Sequence, residues 1–157
     1  MAIQPKKRIR ALAIPGSIIG PARQHLYRQA YAQIKKATEQ GFYLEAITLI
    51  ESLVSDRLES RITFLKHTDF SFKTLGELIA ETKKLETDTD FRDLVVTRLD
   101  KWRDSRNRSL HEMAKLADGD TSNWNDRVKT IIPIAEEGSA TLRAIDKRYK
   151  QLRRLGV

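Results

Sequence analysis

Arg106-Asn107-Arg108-Ser109-Leu110-His111 is the stretch whose residue types and spacing could do chemistry. A histidine titrates near neutrality and can carry a proton, and a planar guanidinium can hold developing negative charge. At about 100° per residue, Trp102, Arg106, Leu110 and Met113 fall within one arc of a helix, so Arg106 occupies a core-type position. A charge there is expensive unless a cleft, a partner or a second subunit receives it. His111 lies about 140° round from Arg106, with Asn107 one turn before it on nearly the same face. One helix therefore does not aim Arg106 and His111 at one point, whereas two copies of the helix meeting in a symmetric dimer would line one groove with both pairs. Arg98, Lys101, Arg103 and Arg108 outnumber Asp100 and Asp104 around the motif. This local positive excess suits a phosphodiester.

The elements that must position this motif are helices. Apolar spacing follows the helical period nearly throughout, and no stretch alternates as a strand would. The pattern predicts a helix from about Pro21 to Thr38 ended by Gly41, and a second from about Phe42 to Leu65 carrying Ala46, Ile47, Ile50, Val54, Leu58 and Ile62. Periodicity fails between His67 and Lys73. Thr74 and Glu77 then form a capping-box pattern that opens a short helix to about Leu85, and Glu86-Thr87-Asp88-Thr89-Asp90 supplies the next N-cap. The motif helix is expected from about Asp90 to Ala117, with Phe91, Val95, Leu99, Trp102, Leu110, Met113 and Leu116 on its apolar side and Gly119 as its stop. A last helical region should follow Thr121-Ser122 to about Leu155, bent or divided at Pro133 and Gly138. The expected fold is all-α: an up-and-down bundle of four to five helices with a basic N-terminal extension, residues 1–20 as the arm and 21–157 as one domain.

Composition bounds the rest. The chain has 157 residues, 29 Lys plus Arg, 21 Asp plus Glu, three His and no Cys, for a net charge of +8. Absence of cysteine rules out disulfides, thiolate metal sites and a cysteine nucleophile within this sequence, and three His leave little room for a histidine metal centre, so no metal and no cofactor is expected. No apolar run approaches a membrane span, which makes a cytoplasmic protein without membrane association the expectation. The first 38 residues hold eight basic residues and no acid, while the remainder balances at 21 of each. Lys6, Lys7, Arg8 and Arg10 thus form an arm suited to RNA phosphates, alongside Lys101, Arg103 and Arg108 near the motif.

Arg106-Asn107 followed by His111 resembles the signature of the HEPN superfamily, small helical bundles of toxin–antitoxin and antiviral defence systems. Gly41-Phe42-Tyr43-Leu44-Glu45-Ala46 through Leu58-Glu59 is similar to the family's earlier long helix, and the resemblance spans about residues 41–155. It implies a metal-independent endoribonuclease acting as a homodimer with a composite site, and a possible antitoxin or neutralising protein as partner. In that reading His111 takes the proton of a ribose 2′-hydroxyl, which attacks the adjacent phosphate to leave a 2′,3′-cyclic phosphate. Arg106 stabilises the phosphorane oxygens, and Asn107 orients the imidazole or holds a phosphate oxygen. The alternative is a non-catalytic HEPN-like module for RNA or protein binding and assembly.

Other residues read more plainly. Glu51, Asp56 and Glu59 either face the site and fix His111 or form a solvated helix face, the usual outcome for such spacing. Arg61, His67 and His25 read as surface residues. Trp102 reads as packing before base stacking, whereas Trp124 is a possible stacking residue. Lys147, Arg148, Lys150, Arg153 and Arg154 either track a phosphate backbone or favour the helix C-terminus.

Overall fold

A computed structural model describes residues 10, 11, 14–68 and 73–157, and among them there is no strand. The chain forms α1 (Ile19–Glu39), α2 (Tyr43–Lys66), α3 (Leu75–Leu85), α4 (Thr89–Asp93), α5 (Asp100–Glu112) and α6 (Trp124–Leu155). A π-helical stretch, Leu94–Leu99, joins α4 to α5 without a break, so the six labels make five rods. This is the expected all-α bundle. Lys6, Lys7 and Arg8 lie outside the described residues, as do 69–72 in the segment where periodicity fails.

Local chemistry accounts for most helix ends. Gly41 takes φ +80° after α1, where the Phe42 amide bonds the Ala37 carbonyl at 2.7 Å and the Gly41 amide bonds that of Thr38 at 3.2 Å, a Schellman closure that needs the left-handed residue glycine supplies. Thr74 and Glu77 form the expected capping box, the Thr74 amide donating to Glu77 at 2.7 Å. Asp88 caps α4 by accepting from the Phe91 amide at 2.8 Å. A second capping box, Asn123 with Asp126, starts α6.

Helix α2 is the hub, packed against α1, α3 and α6, while the α4–α5 rod lies on α3 and α6. Ile47, Ile50, Val54, Leu58 and Ile62 of α2 meet Leu78, Phe91, Leu99, Leu142 and Ile145, all 1% exposed or less. Each such aliphatic side chain contributes about 1.5–3 kcal/mol through burial.

The second half of the chain departs from expectation in three places. The motif helix ends at Glu112 rather than Ala117: the Glu112 carbonyl accepts from Arg127 of α6, which also donates to Asp120, and from the Lys115 amide at 3.3 Å in a tighter turn, in place of the next helical bond. Leu116 consequently lies beyond the helix and is 77% exposed, and Gly119 turns the following loop at φ +78°. Helix α6 runs undivided through Pro133 and Gly138. Gly138 instead makes room for Trp102, since a Cβ there would sit 2.7–2.9 Å from the indole. Finally, a π-helical stretch interrupts the rod at Leu94–Leu99, with Val95 and Leu99 buried in it and Phe91 and Trp102 buried on either side, each 2% exposed or less.

Candidate functional site

The motif occupies the last two turns of α5. Arg106 is half-buried, as its place on the Trp102–Met113 stripe demands, and its guanidinium lies 5.9 Å from the Trp102 ring centroid. Its charge is received inside the chain: Nη2 donates to Glu51 of α2 in a short ion pair. Arg106 Nε is buried and donates to no described residue. Glu51 therefore holds Arg106, not His111.

His111 lies in the last turn of α5, exposed, and makes no side-chain hydrogen bond or ion pair with any described residue. Asn107 is half-buried and likewise makes no side-chain hydrogen bond with any described residue. The chain thus brings Arg106 and Asn107 to a partly covered face and leaves His111 on an open one, in keeping with the roughly 140° between them. What the site offers is an anchored guanidinium beside an indole, and an accessible imidazole at a helix end.

The flanking cations divide. Lys101 and Arg108 are exposed with no carboxylate at ion-pair distance among the described residues. Arg103 pairs with Asp100 and Asp104 at 2.9 Å each and lies over Gly76 of α3. Arg10, expected to reach for RNA from the arm, is buried against α2, paired with Asp56 and with Glu59 at 3.1 Å. It belongs to the bundle because two carboxylates there need a counter-charge. Trp102 is core packing, its Nε1 donating to the Ile134 carbonyl at 2.8 Å, whereas Trp124 is 55% exposed.

Other acidic and basic residues also leave the surface assigned to them. Glu59 is buried, and Glu51, Asp56 and Glu59 each bind an arginine. Arg61 is buried, not exposed, with Nε and Nη2 on the two oxygens of Glu86 at 2.6 and 2.8 Å. Of the C-terminal basic run, Arg148 is taken by Asp88 at 2.5 Å and Lys150 by Asp146 at 2.6 Å. His25 is exposed as expected, and so is His67, which ends α2 in the left-handed conformation at φ 55°.

The Glu51–Arg106 pair was within reach of sequence reasoning. Ile47, Glu51, Val54 and Leu58 step by four, three and four residues, so Glu51 is a polar exception on an apolar stripe, as Arg106 is on α5. Two exceptions of opposite charge on neighbouring helices are partners for each other.

Among the described residues no group of His, Asp or Glu has the arrangement of a metal site, and no helix is long and apolar enough to cross a membrane. Fold and site together define an all-α bundle with an anchored arginine and an open histidine on one helix. Compared with known proteins, the chain matches no family model, no curated protein and no solved structure.

Proposed function

We propose that the protein is a metal-independent endoribonuclease of HEPN type, working as a homodimer in the cytoplasm, in a toxin–antitoxin or phage-defence setting with a neutralising partner. The observation that carries the reading is the contrast within one helical turn and a half: Arg106 anchored by Glu51, His111 accessible and without a partner. Docking of two copies through this face would bring the imidazole of one toward the guanidinium of the other. His111 then removes the 2′-hydroxyl proton, Arg106 steadies the charge on the phosphorane oxygens, and Lys101 and Arg108 hold the flanking phosphates. DNA, lacking the nucleophile, is not cut.

The purified chain should cleave single-stranded RNA in EDTA and leave 2′,3′-cyclic phosphate ends. His111→Ala should lower the rate by at least about 100-fold, the scale of general acid–base catalysis, with helicity and oligomeric state unchanged. Cleavage that survives His111→Ala, or products without cyclic phosphate, overturns the assignment. The intrachain Glu51–Arg106 pair favours a second reading, a non-catalytic binding or assembly module in which Arg106 is a structural cation. On that reading the chain leaves RNA intact while still forming its complex.

A further inference from the structure

A cavity of about 1040 Å³ opens among α1, α2 and the end of α6, with Arg106, Asn107 and His111 all outside its walls. Its charge is one-sided. No Asp or Glu lines it, whereas seven cations do. Behind the wall, Arg10 and Arg23 share Asp56, Arg10 also reaches Glu59, Arg57 and Lys150 share Asp146, and Arg61 takes Glu86. Arg28 and Arg153 have no carboxylate at ion-pair distance among the described residues. Seven cations against four side-chain carboxylates and the carboxyl group of Val157, which lines the cavity and accepts from Arg61 Nη1 at 2.6 Å, leave an excess of two in one concave surface, which is costly unless an anion enters.

The unsatisfied polar atoms point the same way. Arg10 Nη2, Tyr31 Oη and Thr63 Oγ1 are buried, belong to residues that line this cavity and have no hydrogen-bond partner among the described residues, and the Arg10 side chain is only 5% exposed. Arg10 Nη2 can only donate and the two hydroxyls can donate as well as accept, so one acceptor group can satisfy all three. Arg57 is set as a rigid fork: its guanidinium lies 4.0 Å from the Tyr27 ring centroid and 4.8 Å from that of Tyr149, and Nε is fixed on Asp146 at 2.6 Å. Its two terminal nitrogens donate to no described residue. A planar, pre-positioned guanidinium beside free hydroxyl donors suits a tetrahedral oxyanion. The excess of two charges favours a dianionic phosphate monoester over the single charge of a phosphodiester or carboxylate.

We propose that this cleft binds a terminal phosphate group, carried either by a free nucleotide or by the 5′ end of an RNA strand. The inference stands without the ribonuclease reading, because it uses none of the residues assigned to cleavage. The test uses the full chain and a fluorescent 2′-O-methyl RNA 12-mer, which cannot be cleaved by 2′-hydroxyl attack, made with a 5′-phosphate or a 5′-hydroxyl. The phosphorylated strand should bind about tenfold tighter, or about 1.4 kcal/mol. The double variant Arg28→Glu/Arg153→Glu should erase the difference; both residues are exposed and free of ion pairs, so the fold should survive, as circular dichroism would check. His111→Ala should retain the preference even where it abolishes cleavage. Adenosine 5′-monophosphate that competes with the strand, while adenosine does not, assigns the site to a free nucleotide; failure to compete assigns it to the strand end. Equal affinity for the two strands with no binding of the monophosphate overturns the proposal, as does a preference that persists in the double variant.

Discussion

A guanidinium on a packed helix face is tolerated only with a carboxylate in reach, and two of this bundle's cases differ in depth. Arg61 and Glu86 are 4% and 0% exposed in their side chains, joined through two hydrogen bonds, and Glu86 also accepts from the amides of Thr87 and Asp88 at 3.1 and 2.9 Å. Arg106 and Glu51 are 15% and 32% exposed and joined once. Removing one partner strands the other, and the penalty grows with burial. Glu86→Ala should therefore cost about 3–5 kcal/mol, and Glu51→Ala about 1–2 kcal/mol because water reaches the stranded arginine. Urea denaturation gives both numbers, and a double-mutant cycle of Glu51→Ala with Arg106→Ala should return a coupling near 1 kcal/mol. Additive effects in that cycle would mean that the pair does not position Arg106. Arg108→Ala, one exposed turn away, should change stability by no more than about 0.5 kcal/mol.

At the scale of elements, the motif helix is held through a contact between an indole and a glycine. Trp102 lies against Gly138 of α6 and donates to the Ile134 carbonyl one turn earlier. Gly138→Ala improves helix propensity by about 1 kcal/mol, yet its Cβ would meet three ring atoms within 2.9 Å, and a rigid buried ring cannot swing aside. Overpacking of about 1–3 kcal/mol should prevail, lowering the unfolding midpoint and blue-shifting or broadening Trp102 emission; a stabilised variant would show that the two helices separate freely. The same contact marks the limit of what the sequence discloses. Thr74 with Glu77, Gly41 and Asp88 announce their ends because each acts on its own backbone neighbours. The stop at Glu112 depends on Arg127, fifteen residues later, and the role of Gly138 on Trp102, thirty-six residues earlier. Periodicity carries no trace of either, nor of the π stretch, because Phe91, Val95, Leu99 and Trp102 step by four, four and three residues as on an ordinary α-helix. Arg57 and Arg61 were legible in principle, since they continue the Ile50–Val54 stripe at steps of three and four. The cleft they help to form was not, because α1 and α6 supply its other walls.

Over the whole molecule, the charge surplus of the first quarter is partly drawn into the bundle, with Arg10 and Arg23 on Asp56, and the fold is tied by carboxylate–cation pairs between rods. Asp88 is held below the usual carboxylate range chiefly by hydrogen bonds from Arg148, with the Phe91 amide adding to the effect, and this pair fastens α4 to α6. Arg98 lowers Glu137 and fastens the π stretch to α6, and Lys66 lowers Glu81 and fastens α2 to α3. For each, the folded state prefers the ionised form. Their contribution is therefore complete above the ordinary carboxylate range and is lost as pH falls through the lowered values. The phenols act oppositely: burial pushes Tyr27 upward and Tyr31 up to about 12. Their contribution is complete below the ordinary tyrosine value near 10 and declines as pH rises toward 12, because only the unfolded chain gives up those protons readily. As far as these five groups govern it, the urea midpoint should hold a plateau from about pH 5 to 9 and fall on both sides. Arg148→Gln should make the acid limb shallower while leaving the alkaline limb in place, because it frees Asp88 to titrate near its ordinary value in the folded state. An acid limb of unchanged slope in that variant would show that Asp88 and Arg148 do not couple α4 to α6, and with it that the helix bearing Arg106 and His111 is positioned mainly by Trp102 and the apolar stripe.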